Sequence, residues 1–178
     1  MTANTITLES TQNSFANFLN EGTVNAEVTY KRYVADEVSL DLLASPVSGQ
    51  TFSDFASNNS NLFYQEGNAS RKLFGHYDNT NRKYITYYDS DNRTIDLGIG
   101  YRAARLSTAE GNTLNFTGSV SNAQIDVPIN TNGDAWNLIG NPYPTAIKLY
   151  DFMFNNYSKT HTQYDGIYGY NGKTEDKW

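Results

Sequence analysis

The amino-acid sequence predicts an all-β fold, an antiparallel, jelly-roll-like β-sandwich of two pseudo-repeated halves with at most one short helix. The 178 residues include 14 Tyr, 9 Phe and 13 Gly against 4 Pro and 2 Met, which favours strands and tight turns. Short apolar or aromatic runs recur between turn signals. Segments 40–46 and 136–142 also share one pattern: an apolar residue, a polar one, two aliphatics, a small residue, Asn or Ser, then Pro.

The repeat continues beyond these two segments. Each is predicted to be a strand that stops abruptly, because Pro lacks an N–H group and keeps the preceding residue extended. Each is followed by Asp-Phe, at residues 54–55 and 151–152, and then by an aromatic strand ending in Gly67 or Gly172. Four matched features in the same order indicate an old internal duplication.

The elements are predicted in chain order. Residues 1–27 form a strand-rich lead-in, the end of an upstream repeat, and residues 28–178 form the sandwich module. A single helix is expected over 145–155, with Thr145 as its N-cap. A turn at 110–112 is expected to close a hairpin. The predicted strands are 27–34, 38–44, 61–65, 83–88, 99–106, 113–117, 124–129, 135–139 and 166–170.

The second half is predicted to be truncated. In the first half, residues 68–118 follow the strand that ends at Gly67, whereas only residues 173–178 follow Gly172. We therefore expect an open sheet edge. Such an edge favours self-association or strand addition by a partner.

Composition argues against several classes of function. The formal net charge of −6 and scattered basic residues do not suit a nucleic-acid or membrane partner. The chain has no Cys, no apolar run of the roughly 20 residues that span a membrane, and no P-loop or Gly-x-Ser-x-Gly motif. His76 and His161 form no motif together. The sequence predicts no enzyme activity, no catalytic or metal-binding residue and no cofactor.

One loop resembles a calcium site in its chemistry. Residues 89–92, Asp-Ser-Asp-Asn, place oxygen ligands alternately, and Asp96 follows. The loop lacks the Gly and distal Glu of an EF-hand, so a solvated turn is favoured over structural calcium.

Aromatic residues are the remaining candidates for binding. Trp136 is predicted to lie in the core with Leu42 and Leu138, because the repeat aligns them. Tyr143 either faces a ligand or fixes the strand exit through a cis bond to Pro144. Other tyrosines could stack on sugar rings or pack with the ring buried and the hydroxyl wet. These are Tyr84, Tyr87, Tyr88 and Tyr101, and the pair Tyr164 and Tyr168.

Four segments carry a resemblance to a known kind of module. They are Ser-Pro-Val-Ser-Gly-Gln-Thr-Phe at 45–52, Gly-Ile-Gly-Tyr at 98–101, Leu-Asn-Phe-Thr-Gly at 114–118, and Trp-Asn-Leu-Ile-Gly-Asn-Pro-Tyr-Pro at 136–144. As a set they resemble a module of large secreted and cell-surface proteins of Bacteroidetes, commonly exported by the type IX secretion system.

The resemblance implies an extracellular or cell-surface location and a non-catalytic structural or adhesive role. Its partners would be neighbouring domains of the parent protein, and a glycan or cell-surface ligand. The alternative is a carbohydrate-binding module of a larger extracellular enzyme.

Overall fold

The computed structural model describes residues 4–34, 40–106, 111–160 and 166–169. The secondary structure of these residues is mostly β, with two α-helices and a 3₁₀ turn at Tyr157–Lys159. The helices are α1 (Phe52–Asn58) and α2 (Leu149–Asn156). The strands are β1 (Thr5–Leu8), β2 (Ser10–Thr11), β3 (Ser14–Phe15), β4 (Glu27–Tyr33), β5 (Asp41–Leu43), β6 (Tyr64–Gln65), β7 (Asn68–Lys72), β8 (Phe74–Asp78), β9 (Lys83–Tyr84), β10 (Tyr101–Ala103) and β11 (Thr113–Gly118).

The first sheet has the order β1-β4-β11. β1 runs parallel to β4, and β11 runs antiparallel to it with Phe116 opposite Tyr30. β11 alternates strictly, since Leu114 and Phe116 are buried while their neighbours are partly exposed. This period of two directs one face of the strand into the core.

The second sheet has the order β5-β10-β8-β9, with every neighbouring pair antiparallel. Tyr101 in β10 lies opposite Leu43 in β5 and His76 in β8. After β9 the chain continues along β8, where the Ile85 N–H donates to the His76 carbonyl at 2.9 Å. Two small hairpins, β2-β3 and β6-β7, complete the strand pairing of the described residues.

The core forms around α1, which lies between the two sheets. The Phe55 ring lies 4.8 Å from Phe116 of the first sheet and 4.9 Å from Phe74 of the second, centroid to centroid. Thr51 caps the helix by accepting the Asp54 N–H at 3.2 Å. At its other end, the buried Asn59 donates to the Asn115 carbonyl at 3.1 Å and so ties the helix to β11.

The expectation of at most one short helix is wrong. α1 was not predicted, although Thr51-x-x-Asp54 is a capping signal and Phe52 and Phe55 have helical spacing. α2 begins at Leu149, later than expected. Its N-cap is Lys148, without a side-chain bond, so Thr145 is not the cap.

Several strand predictions also fail. Residues 124–129 and 166–169 form no strand, and 135–139 contribute only a single bridge from Ile139 to Ile99. β10 and β11 lie in different sheets, so the hairpin expected around residues 110–112 does not form between them. Glu110 itself lies outside the described residues.

Other predictions stay untested. The boundary at residue 27, between the lead-in and the sandwich module, stays a prediction. β1 of the lead-in belongs to the same sheet as β4. The predicted truncation of the second half concerns residues 170–178, which lie outside the part of the chain that the structure describes. Among the described residues the sheets are open.

Candidate ligand-binding surface

The candidate surface is built on residues 127–144, here called the arm, which pairs with residues 98–100 just before β10. Gly100 N–H donates to the Leu138 carbonyl at 3.0 Å, and Gly140 N–H donates to the Gly98 carbonyl at 2.9 Å. Glycine is needed at 100, where a Cβ would lie 2.5 Å from Leu138 Cγ. The Gly-Ile-Gly motif is therefore the contact that seats the arm on the sheet.

Side-chain hydrogen bonds fix the first part of the arm. Asn137 Oδ1 accepts the Asn130 N–H at 2.9 Å, and Asn137 Nδ2 donates to the Asn130 carbonyl at 3.0 Å. Buried Asn79, in the turn after β8, donates to the same carbonyl at 2.7 Å. Asx side chains that bind nearby backbone in this way stabilise a turn in place of a strand.

A second anchor joins the arm to β8. The Tyr77 hydroxyl donates to the Asp134 carboxylate, and this hydrogen bond is the main reason that the pKa of Tyr77 is raised to about 12. Asp134 also accepts the Trp136 N–H at 3.2 Å. Between them Ala135 adopts φ 65°, a left-handed conformation that non-glycine residues rarely take.

Trp136 projects from this fixed turn into solvent, so its prediction as a core residue is wrong. It is 53% exposed, and its ring meets that of Tyr168 edge to face at 5.2 Å between centroids. The physical reason is the left-handed Ala135 and the Asx bonds, which prevent the period-two strand assumed from the pattern. Leu138 packs on Gly100, and Leu42 lies near it, both partly buried.

The arm separates two clefts. The first, of ≈ 250 Å³, lies between residues 42–46 and 138–143 and is also lined by Tyr30, Arg32 and Gly100. The second, of ≈ 230 Å³, lies between the arm and residues 76–79. The matched segments of the sequence repeat thus face each other across the first cleft. A Cβ on Gly140 would lie only 2.2 Å from the Ala44 Cβ.

The family model described as Domain of unknown function (DUF8693) matches residues 2–176. The chain belongs to the DUF8693 family. No curated protein and no solved structure matches it. Among the described residues of this DUF8693 chain, no helix has the length and apolar character needed to cross a membrane.

The tyrosines predicted to stack on sugars do not form one platform. Tyr87 and Tyr101 are core residues, and burial raises the pKa of both. Tyr84 lies partly buried beneath the Arg102 guanidinium, 4.4 Å from its ring centroid. Tyr88 is exposed beside the 89–92 loop, where it bridges Arg71 of β7. Tyr164 lies outside the described residues.

Tyr143 is partly buried and fixes the end of the arm. Its hydroxyl donates to the Ala123 carbonyl at 2.9 Å, and its N–H donates to Asn141 Oδ1 at 3.1 Å. The expected cis bond to Pro144 is wrong, since the described residues contain no cis peptide. Tyr143 therefore serves the strand-exit role through hydrogen bonds and not through a cis proline.

The charged and titratable candidates are engaged in internal contacts. Asp91 accepts the Tyr88 N–H at 3.1 Å and lies 3.6 Å from Arg93 Nε, so the 89–92 loop is a self-bonded turn. Nowhere in the described ranges do three or more His, Cys, Asp or Glu side chains cluster to hold a metal. His76 Nδ1 shares a 2.6 Å hydrogen bond with the Tyr87 hydroxyl, while His161 lies outside these ranges.

Sequence reasoning missed a second aromatic surface. α2 has no buried residue, and its Tyr150 and Phe154 are 76% and 72% exposed. Their rings are nearly parallel, with centroids 6.2 Å apart. The spacing of four residues within a predicted helix was the available signal.

Proposed function

We propose that this DUF8693 chain is a non-catalytic adhesive module of a secreted or cell-surface bacterial protein. In this proposal its strands form a β-sandwich of two related halves, and the arm contacts the ligand. The observation that carries the proposal is Trp136, half exposed at the tip of a turn fixed by the Asn130, Asn137 and Asp134 side chains.

An exposed tryptophan on a fixed turn supports binding for an energetic reason. Burial of apolar surface is favourable by a free energy of about 25 cal/mol per Å², and surface that stays in water does not gain it. Tryptophan is also among the residues that contribute most to binding interfaces. Because the turn is already ordered, little conformational freedom is lost when a partner covers the ring. An adhesive role uses both properties.

Carbohydrate binding is the second candidate, favoured by the edge-to-face geometry of Trp136 and Tyr168. Their ring planes meet at 69°, which leaves the two rings as walls of a corner. The apolar C–H face of a sugar ring packs against aromatic faces, and its hydroxyls can bond the polar groups of the adjoining turn. In this role the module would serve an enzyme elsewhere in its parent chain.

The engaged titratable groups support the non-catalytic part of the proposal. A general acid or base needs a side chain that reaches a substrate proton. Here the groups with shifted pKa values are used internally, since His76 bonds Tyr87 and Tyr77 bonds Asp134. The proposal includes no catalytic residue, no metal and no organic cofactor.

The location and partners come from the sequence resemblance. The module would lie outside the cell or on its surface, beside neighbouring domains of its parent, with a glycan or cell-surface ligand. The acidic net charge of −6 suits neither nucleic acid nor an anionic membrane as ligand. Self-association through an open sheet edge belongs to the same proposal.

A glycan-array screen of the purified chain, followed by solution titration of the best ligands, tests this function. We expect saturable binding to a restricted set of glycans, with the bound glycan recovered uncleaved. Release of shorter products would contradict the non-catalytic role. Absence of saturable binding to glycans and to intact bacterial or host cells would contradict adhesion.

A further inference from the structure

We propose that the first cleft, between residues 42–46 and 138–143, binds a sugar residue that carries a carboxylate, with Arg32 as the anion contact. The proposal deepens the carbohydrate-binding candidate and rests on it. It assigns a ligand class to a cleft that is separate from the exposed Trp136 ring, which does not line it.

Arg32 is placed and oriented for an anion. Its guanidinium stacks on Phe15 with 4.3 Å between Cζ and the ring centroid, which covers one face of the group. Within the described residues no carboxylate lies within 4.0 Å of it and no acceptor takes its N–H groups. A planar guanidinium held on an aromatic ring retains a fork of donors that matches a carboxylate.

The charge of the lining sets this cleft apart from the rest of the surface. The chain carries 19 acidic against 13 basic residues, yet the residues that line the cleft include Arg32 and no Asp or Glu. An anion entering here meets one cation and no opposing carboxylate from the lining. The chain's other charges do not provide such a site at the second cleft, which Asp78 lines.

The remaining walls suit the body of a sugar ring. Leu42, Pro46 and Leu138 supply apolar surface, and Tyr30 supplies an aromatic side chain. Across the described residues the Tyr30 hydroxyl has no hydrogen-bond partner within the chain, so it can bond a ligand hydroxyl. The cleft thus combines an apolar wall, a phenol and a cation.

The opposite wall is preformed and the cleft is small. Asn141 Nδ2 donates to the Thr145 carbonyl at 2.6 Å, which fixes the turn that carries Tyr143. The volume of ≈ 250 Å³ falls below the roughly 300–1,000 Å³ of drug-sized ligand pockets. A single carboxylated ring fits that scale, whereas a helix or strand of another protein does not.

The test is an NMR titration of the protein's amide resonances with glucuronate, and with glucose as its neutral counterpart. We expect saturable shifts from glucuronate, centred on Ala44, Gly100 and Gly140, and binding of glucose at least about tenfold weaker. Arg32→Met should weaken glucuronate binding by about tenfold or more, because a charge-assisted pair is lost.

Two variants make the comparison specific. Lys31→Met removes the same charge from the residue that precedes Arg32 in β4. Lys31 donates to Glu9 at 2.9 Å and does not line the cleft. This variant should leave glucuronate affinity within about twofold. Arg32→Lys keeps the charge but loses the fork, and serves if Arg32→Met does not fold. It should weaken binding less than Arg32→Met does.

Equal affinity for glucose, undiminished binding by both Arg32 variants, or no saturable shift would overturn the proposal. So would a glutamate-containing peptide that binds more tightly than glucuronate. Trp136→Ala should leave the glucuronate titration unchanged. Absence of binding both on the glycan array and to intact cells, with this titration intact, would count against the adhesive function alone. Saturable binding on the glycan array without a saturable glucuronate shift would count against the cleft alone.

Discussion

Phe55 is the residue on which the packing of the two sheets depends. Its ring contacts both Phe116 and Phe74 and is fully buried. Phe55→Ala should lower the free energy of unfolding by about 3–5 kcal/mol, through lost burial and the cavity left behind. Urea denaturation measures this. The matched control is Phe154→Ala on exposed α2, which should change stability by no more than about 0.5 kcal/mol. A larger effect at Phe154 than at Phe55 would contradict the assigned core.

His76 makes stability depend on pH. Burial, together with the nearby Arg93 charge, lowers the pKa of His76 below its ordinary value of 6.5, although Asp78 and Asp96 act in the opposite direction. Below pH 6.5 the unfolded chain therefore binds more protons than the folded one at this residue. Its contribution to stability is present above that pH and is lost as the pH falls towards the folded-state pKa.

His76→Gln should flatten this dependence. Thermal unfolding of wild type and variant between pH 7.5 and pH 5 measures the pH dependence of stability. The carboxylates titrate in both proteins, so their effect cancels in the comparison. We expect the stability difference between wild type and variant to shrink as the pH falls. A difference that stays constant over this range would show that His76 does not titrate in the manner described.

At the scale of elements, the close approach of β8 to the chain after β9 depends on Gly75. A Cβ at this position would lie 1.4 Å from the Ile85 carbonyl oxygen, a backbone atom that cannot move aside without breaking the pairing. Gly75→Ala should therefore destabilise the protein by about 3 kcal/mol or more. Gly22→Ala is the control, because nothing lies within 4 Å of its Cβ position and its φ is not positive. Equal melting temperatures for the two variants would contradict the strand pairing.

The arm's order depends on Asn137, which bonds the backbone of Asn130 in both directions. Asn137→Ala should loosen residues 130–137 and weaken ligand binding, with little loss of global stability because the side chain is only partly buried and lies outside the core. Hydrogen exchange measures the first effect, as faster exchange of the Asn130 amide than in wild type. Unchanged exchange there would show that the arm is held by other contacts.

The strands that sequence reasoning predicted well are those with clear alternation. β4 and β11 were expected nearly at their observed bounds, since Leu114 and Phe116 alternate with polar residues. β8 was missed because Phe-Gly-His-Tyr-Asp has no alternating pattern and contains a glycine whose role is close packing. The pairing partners of the strands could not be predicted, because register depends on contacts between residues distant in sequence.

The helices show that the predicted repeat was used incompletely. The Asp-Phe pairs of the two copies lie in the first turn of α1 and of α2, with Asp54 and Asp151 each the third helical residue. The alignment thus implied a helix in both copies, although only one was predicted. The two segments otherwise differ, since α1 is packed in the core and α2 has no buried residue.

The sequence motif that forms the arm was noticed, but the environment of its Trp136 was predicted wrongly. The 136–144 motif does carry the arm, but Trp136 was assigned to the core because its neighbours suggest a period of two. The left-handed Ala135 and the hydrogen bond from the Trp136 N–H to Asp134 could not be predicted, because they depend on the contact with Tyr77. Arg32 gave no signal either, since its place in a cleft follows from the packing of the arm on the sheet.

At the scale of the whole molecule, a mostly β scaffold holds one face of its second sheet in the core and seats the arm beside it. The matched segments of the repeat meet across the first cleft, where Gly140 faces Ala44. This arrangement concentrates core packing around α1 and leaves Trp136, Tyr168 and α2 exposed. We therefore infer that the scaffold supplies stability and the arm supplies binding.

The affinity of the Trp136→Ala variant for the best glycan from the array tests this account most directly, measured beside wild type and Tyr88→Ala. Tyr88 is also exposed, but it bridges Arg71 of β7 and lines neither cleft. We expect Trp136→Ala to lose at least about tenfold in affinity while its melting temperature stays close to wild type, and Tyr88→Ala to bind normally. Unchanged affinity in Trp136→Ala, or a loss of stability as large as that of Phe55→Ala, would contradict the account.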